Sequence, residues 1–220
     1  KKKPKDEIFE NITSRHVNVY YSSIVKGLTA KVFRTYLATT VVKKYLIEHD
    51  DMKGKTPNEK LYHTKLANLE AAMMCNHKRT IPKTFEQSLQ KKKDTLKKVE
   101  NERIWGKTQD TLKKVEAKES KTNIQKKNKE KRIKTLNEQI KKQKKKHKER
   151  TEKMKLQIEL SEKTRDFNLG TSLRNYIDPR VVKAWTDKVG VEWEKMYTSA
   201  LQKKFLWVQN EKLNWTELSK

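Results

Sequence analysis

Apolar positions divide the chain into three stretches with different patterning. Up to about Phe85 they recur at intervals of three and four, the period of helices that bury one face. Ser14 is suited to N-cap a first helix carrying Val17, Tyr20, Tyr21, Ile24 and Val25, with Gly27 as the C′ residue beyond its end. A second helix follows, on which Leu28, Val32, Phe33, Tyr36 and Leu37 form a stripe expected to face the core. A polar loop over 50–57 then leads to a third helix, capped by Asn58, with Leu61, Leu66, Leu69, Ala72 and Met73 on one side until Pro82 interrupts the pattern. No alternating strand pattern of comparable strength occurs.

From about Gln87 to Lys163 the residues are mostly Lys, Glu, Gln, Asn and Thr, with sparse aliphatics such as Leu136 and Ile140 at helical spacing. The heptapeptide DTLKKVE begins at Asp94 and again at Asp110, with Trp105 and Gly106 between the copies. The aliphatics suffice for one narrow seam, and a polar break over 118–129 would let the chain reverse into an antiparallel helical hairpin. A single solvated helix or a disordered spacer is the alternative. Apolar residues return at Phe167, with Leu169, Leu173, Tyr176, Ile177, Val181, Trp185, Trp193, Tyr197, Phe205 and Trp207. A segment of about fifty residues is too short to bury an adequate core alone. It is expected to pack on the first segment while the hairpin protrudes.

Composition sharpens this picture. Lys and Arg number 54 against 28 Asp and Glu, a net charge of +26, so the natural partner is a polyanion. The single cysteine, Cys75, excludes an internal disulfide and fits a reducing compartment, and no Cys/His grouping has structural-zinc spacing. No apolar run approaches the roughly twenty residues that span a bilayer, and no signal peptide is apparent, so a membrane partner is not expected. The chain opens on Lys1 rather than a methionine, and an upstream part is expected to be absent from it.

Three places bring reactive side chains into unusual company: Arg34 on an apolar helix, His77 in CNHKR and Tyr176 in RNYIDPR. Taken singly, each is ordinarily structural: a surface cation, a helix-end histidine, a packed tyrosine. Together they make a phosphoryl-transfer set, a nucleophile plus donors for the non-bridging oxygens whose charge rises in the transition state. A phenol, with an ordinary pKa of about 10, needs nearby cations to attack as phenolate. Arg174 and Arg180 flank Tyr176 in the sequence. No glycine-rich phosphate loop for ATP and no convincing carboxylate cluster for magnesium is found.

The stretches GLTAKVFRTY (27–36), CNHKRTIPKTFE (75–86) and LGTSLRNYIDPRVVKAW (169–185) resemble three signature segments of the cellular type IB DNA topoisomerases, in that family's order. The Lys-rich stretch between the last two resembles the family's coiled-coil linker, so the likeness covers essentially the whole chain. It implies a mainly α fold: a helical part of the catalytic core over 1–86, of the kind shared with tyrosine recombinases, a protruding antiparallel coiled-coil linker over 87–163, and a small helical C-terminal domain over 164–220. It also implies Tyr176 as nucleophile, Arg34 on the scissile phosphate and His77 as donor to a phosphate oxygen. Asn175 matches the asparagine beside the cleavage site, and Lys31, Lys78, Arg79, Lys83 and Arg174 are candidate DNA contacts. The implied reaction is reversible transesterification through a 3′-phosphotyrosine, with strand rotation before religation, for which neither ATP nor a metal cofactor is expected, in agreement with the missing motifs.

Two departures stand out. Where the family commonly has TSK and then a hydrophobic residue before Asn-Tyr, this chain has Thr171, Ser172, Leu173 and Arg174, and Leu37 follows FRTY where a small polar residue is common. The family's other catalytic arginine and its lysine general acid lie upstream of the matched region. The expected partners are therefore double-stranded DNA and an N-terminal part of the same enzyme, as a separate subunit or the same polypeptide, with no homo-oligomer and with the isolated chain inactive. The expected location is on the chromosome, in a nucleus or a nucleoid according to the organism. Competing readings are a tyrosine recombinase, against which the long segment between His77 and Tyr176 argues, a non-enzymatic basic coiled-coil DNA-binding protein, and a scaffold protein.

Overall fold

The computed structural model of the chain describes residues 9–211 and 214–218. Lys1, which prompts the expectation of an upstream part, lies outside them. The helices in chain order are α1 (Ser14–Ile24), α2 (Ala30–Glu48), α3 (Pro57–Met74), α4 (Phe85–Asn101), α5 (Gly106–Ala117), α6 (Asn123–Lys163), α7 (Leu169–Asn175), α8 (Pro179–Val189), α9 (Ser199–Lys204) and α10 (Trp215–Leu218). Short 3-10 turns cover Trp193–Met196 and Leu206–Asn210. Among the described residues the only strand-type pairing is an isolated antiparallel bridge between Lys78 and Phe167, so the fold is mainly α. None of these helices is long and apolar enough to cross a membrane. Two compact units result: Lys1–Thr80 with Thr164–Lys220, and Ile81–Lys163.

In the first unit, helix starts differ from the sequence expectation in an instructive way. Thr13, not Ser14, caps α1, because His16 closes a reciprocal box with it: His16 N–H donates to Thr13 Oγ1, and Thr13 N–H donates to His16 Nδ1. Likewise Thr56, not Asn58, caps α3. Glu59 supplies the reciprocal carboxylate at 2.8 Å, and Pro57 occupies the first helical position, where its missing N–H costs nothing. The thirteenth and fifty-sixth residues win because a capping box satisfies two orphan donors instead of one. Gly27, with φ +81°, lies in the turn to α2 rather than at the C′ position of α1, which ends at Ile24.

Helix α2 turns a different face inward from the one its apolar stripe suggests. Ala38, Val42 and Leu46, spaced by four, are buried, whereas Val32, Phe33, Tyr36 and Leu37 are 46–70% exposed. At 100° per residue the two sets lie on nearly opposite sides of the helix. Part of the stripe meets α1, where Tyr21 packs on Phe33 with ring centroids 5.1 Å apart. On α3, Leu66, Leu69 and Ala72 are buried as expected, while Met73 is exposed.

The C-terminal aromatics complete the same core. Ile177, Val181, Val182 and Trp185 of the α8 region, with Trp193, Tyr197, Phe205, Val208 and Trp215, form one apolar cluster with Ala38, Val42, Leu46, Ala67 and Ala71. Trp207, expected inside, stays exposed. Helix α8 starts at Asp178, which caps it, with Pro179 at its first position. It ends at Gly190, whose φ of +70° lets Val191 N–H bond the Thr186 carbonyl.

The second unit is a helical hairpin. Helices α4 and α5 both pack along α6, whose 41 residues span roughly 60 Å. The seam is narrow: Leu89, Val99, Leu112, Leu136, Ile140 and Ile158 are its buried apolar residues. The reversal falls at residues 118–122, a shorter break than the composition suggested, since α6 is already helical from Asn123. A second break, at Glu102–Trp105, separates the two DTLKKVE copies. There His147 Nε2–H donates at 2.7 Å to the Val99 carbonyl, which also accepts from Glu102 N–H at 3.1 Å, and the His147 ring meets Trp105 edge-on at 5.3 Å. Exposed ion pairs such as Lys93–Glu162 and Lys155–Glu100 join the two sides and add little stability beside the seam.

Candidate active site

Tyr176 is the C-cap of α7, half-buried and packed against the main core. Ser172, one turn earlier, fixes its backbone, because the Ser172 carbonyl accepts from both Tyr176 N–H (2.9 Å) and Ile177 N–H (3.2 Å). The next residues are tied to α2 by Thr39, whose hydroxyl accepts from Asp178 N–H at 3.0 Å and donates to the Tyr176 carbonyl at 3.4 Å. That tether matters because α2 also carries the cations. Lys31 and Arg34, three residues apart, share one face of α2. Lys31 Nζ lies 5.8 Å and Arg34 Cζ 5.6 Å from the Tyr176 ring centroid.

His77 reaches the same ring by a different device. Helix α3 ends in a Schellman turn: Asn76 takes the left-handed conformation (φ +54°), its N–H bonds the Met73 carbonyl, and His77 N–H bonds the Ala72 carbonyl at 2.9 Å. Asparagine tolerates that conformation better than most residues, which accounts for its place before His77. The segment then pairs with the entry to α7, through Asn168 N–H to the His77 carbonyl (2.8 Å), the Lys78–Phe167 bridge and Arg79 N–H to the Asp166 carbonyl (2.9 Å). Asn68 adds a tie from α3, donating to the Leu169 carbonyl at 3.1 Å. The imidazole thereby stands 5.1 Å from the Tyr176 ring, and its Nδ1 is 2.7 Å from Ser172 Oγ. Burial pushes its pKa below the ordinary histidine value, and the Arg34 charge adds to that, both favouring the neutral ring.

Two side chains drawn from distant parts of the sequence, Arg34 and His77, thus lie against the ring of one phenol, with Lys31 beside Arg34. The other candidates are placed unevenly. Asn175 precedes the tyrosine on α7 and donates to the Thr171 carbonyl at 3.3 Å. Arg174 is exposed on the last turn of α7, and its carbonyl receives Lys204 Nζ. Lys78 is exposed, while Arg79 spends its Nε–H on the Arg165 carbonyl at 2.9 Å. Lys83, exposed, belongs to the hairpin unit. Arg180 does not attend the phenol: its guanidinium forks onto the Asp178 carboxylate, which raises its pKa. The exchange of basic and apolar residues before Asn175 also has a physical sense, since Leu173 packs on the core and Arg174 faces solvent.

Sequence reasoning missed Thr39 and gave Ser172 no role. The signal for Ser172 was its position four residues before Tyr176, one helical turn; Thr39 carries no comparable signal. Tyr197 provides a useful contrast to Tyr176. It is buried in the aromatic cluster, out of reach of a phosphate, and burial, then the Asp178 charge, pushes its pKa up. The Cys75 thiol is buried and its pKa raised by that burial. Among the described residues, no group of three or more His, Cys, Asp or Glu is arranged to hold a metal ion.

Comparison with known proteins places these features in context. The family model described as eukaryotic DNA topoisomerase I, catalytic core, matches residues 1–111, and that of the C-terminal topoisomerase domain matches residues 148–217. The chain is 33% identical to the DNA topoisomerase 1 of Chlorocebus aethiops and to that of Homo sapiens, over 209 residues in each case. It is 33% identical to that of Caenorhabditis elegans over 206 residues. Each match covers 94% of this chain, but only 26%, 26% and 23% of the respective relative.

Proposed function

This chain belongs to the eukaryotic DNA topoisomerase I family, and from that premise we propose that it supplies the nucleophile and two phosphate-binding groups of a type IB enzyme that relaxes supercoiled DNA. The supporting observation is the grouping around Tyr176: the His77 ring at 5.1 Å, Arg34 at 5.6 Å and Lys31 at 5.8 Å. In this reading the Tyr176 oxygen attacks the phosphorus in line, the bond to the 5′ oxygen breaks, and the 3′ phosphate stays on the tyrosine. Arg34 and the neutral His77 donate to the non-bridging oxygens as their charge grows. Lys31 and Arg34 also stabilise the phenolate as it forms. Because the phosphodiester is exchanged rather than hydrolysed, the returning 5′ hydroxyl can reseal it without ATP and without a metal ion.

The chain spans about a quarter of the length of these relatives, and the lysine that protonates the leaving 5′ oxygen in the family has no counterpart assigned here. We place that group, with a further arginine, on an upstream part of the enzyme. The exposed apolar residues of α1 and α2, Tyr20, Ile24, Val32, Phe33, Tyr36 and Leu37, are a surface on which such a part could pack. The hairpin, where basic residues outnumber acidic ones roughly two to one, would hold DNA phosphates without reading bases. A nuclear, chromosome-bound location follows from the reading.

The test is relaxation of supercoiled plasmid in EDTA, without ATP, by the chain alone and after combination with the upstream part of its enzyme. The combination should relax DNA, the chain alone should not, and Tyr176→Phe should abolish activity while leaving DNA affinity intact. Unchanged relaxation by Tyr176→Phe would sink the proposal.

A further inference from the structure

Ser172 is fully buried and, among the described residues, the one hydrogen-bond partner of its hydroxyl is His77 Nδ1, at 2.7 Å. A buried hydroxyl must donate its proton or leave it unsatisfied, at a cost in stability. With one partner in reach, Ser172 donates to Nδ1. A neutral imidazole that accepts at Nδ1 carries its hydrogen at Nε2. We propose that Ser172 is a positioning residue for the reaction, fixing His77 in the Nε2–H tautomer and in the ring orientation that aims this N–H at a phosphate oxygen.

The surroundings fit that role. Among the described residues His77 has no carboxylate partner, so the hydroxyl takes the place that an acidic group fills behind many active-site histidines. A carboxylate there would favour the imidazolium and offset the Arg34 charge needed by the phosphate. A neutral hydroxyl holds the tautomer without doing either. Ser172 also carries the carbonyl that receives Tyr176 N–H, so one residue of α7 sets both the imidazole and the backbone of the nucleophile. A small movement of α7 would therefore shift the two groups together and preserve their mutual geometry.

The inference rests on the reading of His77 as a phosphate-oxygen donor, and two measurements separate its fate from that reading. The first is nitrogen-15 NMR of the ring nitrogens in the unmodified 220-residue chain, with His77 assigned through His77→Gln. The expected result is Nε2–H with a hydrogen-bonded, proton-free Nδ1 at neutral pH. A proton on Nδ1 overturns the proposal whether or not the enzyme cleaves DNA. The second is a double-mutant cycle on oligonucleotide cleavage by the chain combined with its upstream part. Ser172→Ala should slow cleavage about tenfold with DNA affinity unchanged, and should add nothing to the defect of His77→Gln. A purely structural Ser172 would give additive losses, which would overturn the assignment. A combined enzyme that cleaves no DNA would instead defeat the functional reading and leave the NMR result standing.

Discussion

Replacing Thr39 by Val removes a hydroxyl while keeping the side-chain shape, and it isolates the tether between the helix that bears the cations and the segment that bears the nucleophile. The hydroxyl accepts from Asp178 N–H at 3.0 Å and donates to the Tyr176 carbonyl at 3.4 Å, both in partly buried surroundings. A well-formed hydrogen bond contributes about 1 kcal/mol net, and the longer one contributes less. Partial exposure lets water reach some of the orphaned groups, so the loss should total about 1–2 kcal/mol. Urea unfolding followed by tryptophan fluorescence reports on it, since Trp185, Trp193, Trp207 and Trp215 all lie in the unit that holds the site. Thr39→Ser, which keeps the hydroxyl, should recover most of the difference. In the combined enzyme, Thr39→Val should also slow cleavage more than it weakens DNA binding, because Tyr176 loses its register with Lys31 and Arg34. A Thr39→Val chain as stable as the parent, with cleavage unchanged, would refute the claim that this tether holds the two elements together.

Three further outcomes are expected. Because the His77 pKa is lowered from 6.5 on folding, the unfolded chain binds more protons than the folded one below that value; His77 therefore subtracts stability as pH falls from about 6.5, and the stability difference between parent and His77→Gln should shift against the parent between pH 7 and 5. Leu136→Ala, at a position 2% exposed in the hairpin seam beside Leu112 and Ile140, should destabilise the hairpin by about 2–3 kcal/mol and lower its midpoint in helical circular dichroism while the core unit's tryptophan transition stays in place. Replacing the hairpin residues 81–163 with a short neutral loop should flatten the dependence of DNA affinity on salt, measured by fluorescence anisotropy, with little change in sequence preference.

Helical periodicity carried most of the architecture, and the reason is visible in α3 and in the seam of α6, where the spacing of Leu66, Leu69 and Ala72, or of Leu136 and Ile140, coincides with the buried face. It failed on α2. An apolar stripe states that something covers it, not that the covering group is in the same chain, and Val32 to Leu37 face away from the core that Ala38, Val42 and Leu46 join. Cap positions slipped by one or two residues because reciprocal boxes at Thr13 and Thr56 outcompete single caps at Ser14 and Asn58. Of the site, Arg34, His77 and Tyr176 stand out through their residue types and their likeness to known segments. The groups that hold them, Thr39 and Ser172, act through contacts spanning 95–139 residues of chain, which no local pattern encodes. Arg180 illustrates the converse: four residues from the tyrosine in sequence, it is claimed by Asp178 instead.

The account depends on Tyr176 being the group that takes the phosphate. The most direct test traps the combined enzyme on a nicked oligonucleotide whose short 5′ fragment diffuses away after cleavage, digests the adduct and maps the DNA-linked peptide by mass spectrometry. The account predicts one adduct, a 3′ phosphate esterified to Tyr176 within the peptide around Asn175 and Ile177. An adduct on any other residue, or attachment through a 5′ phosphate, would contradict it.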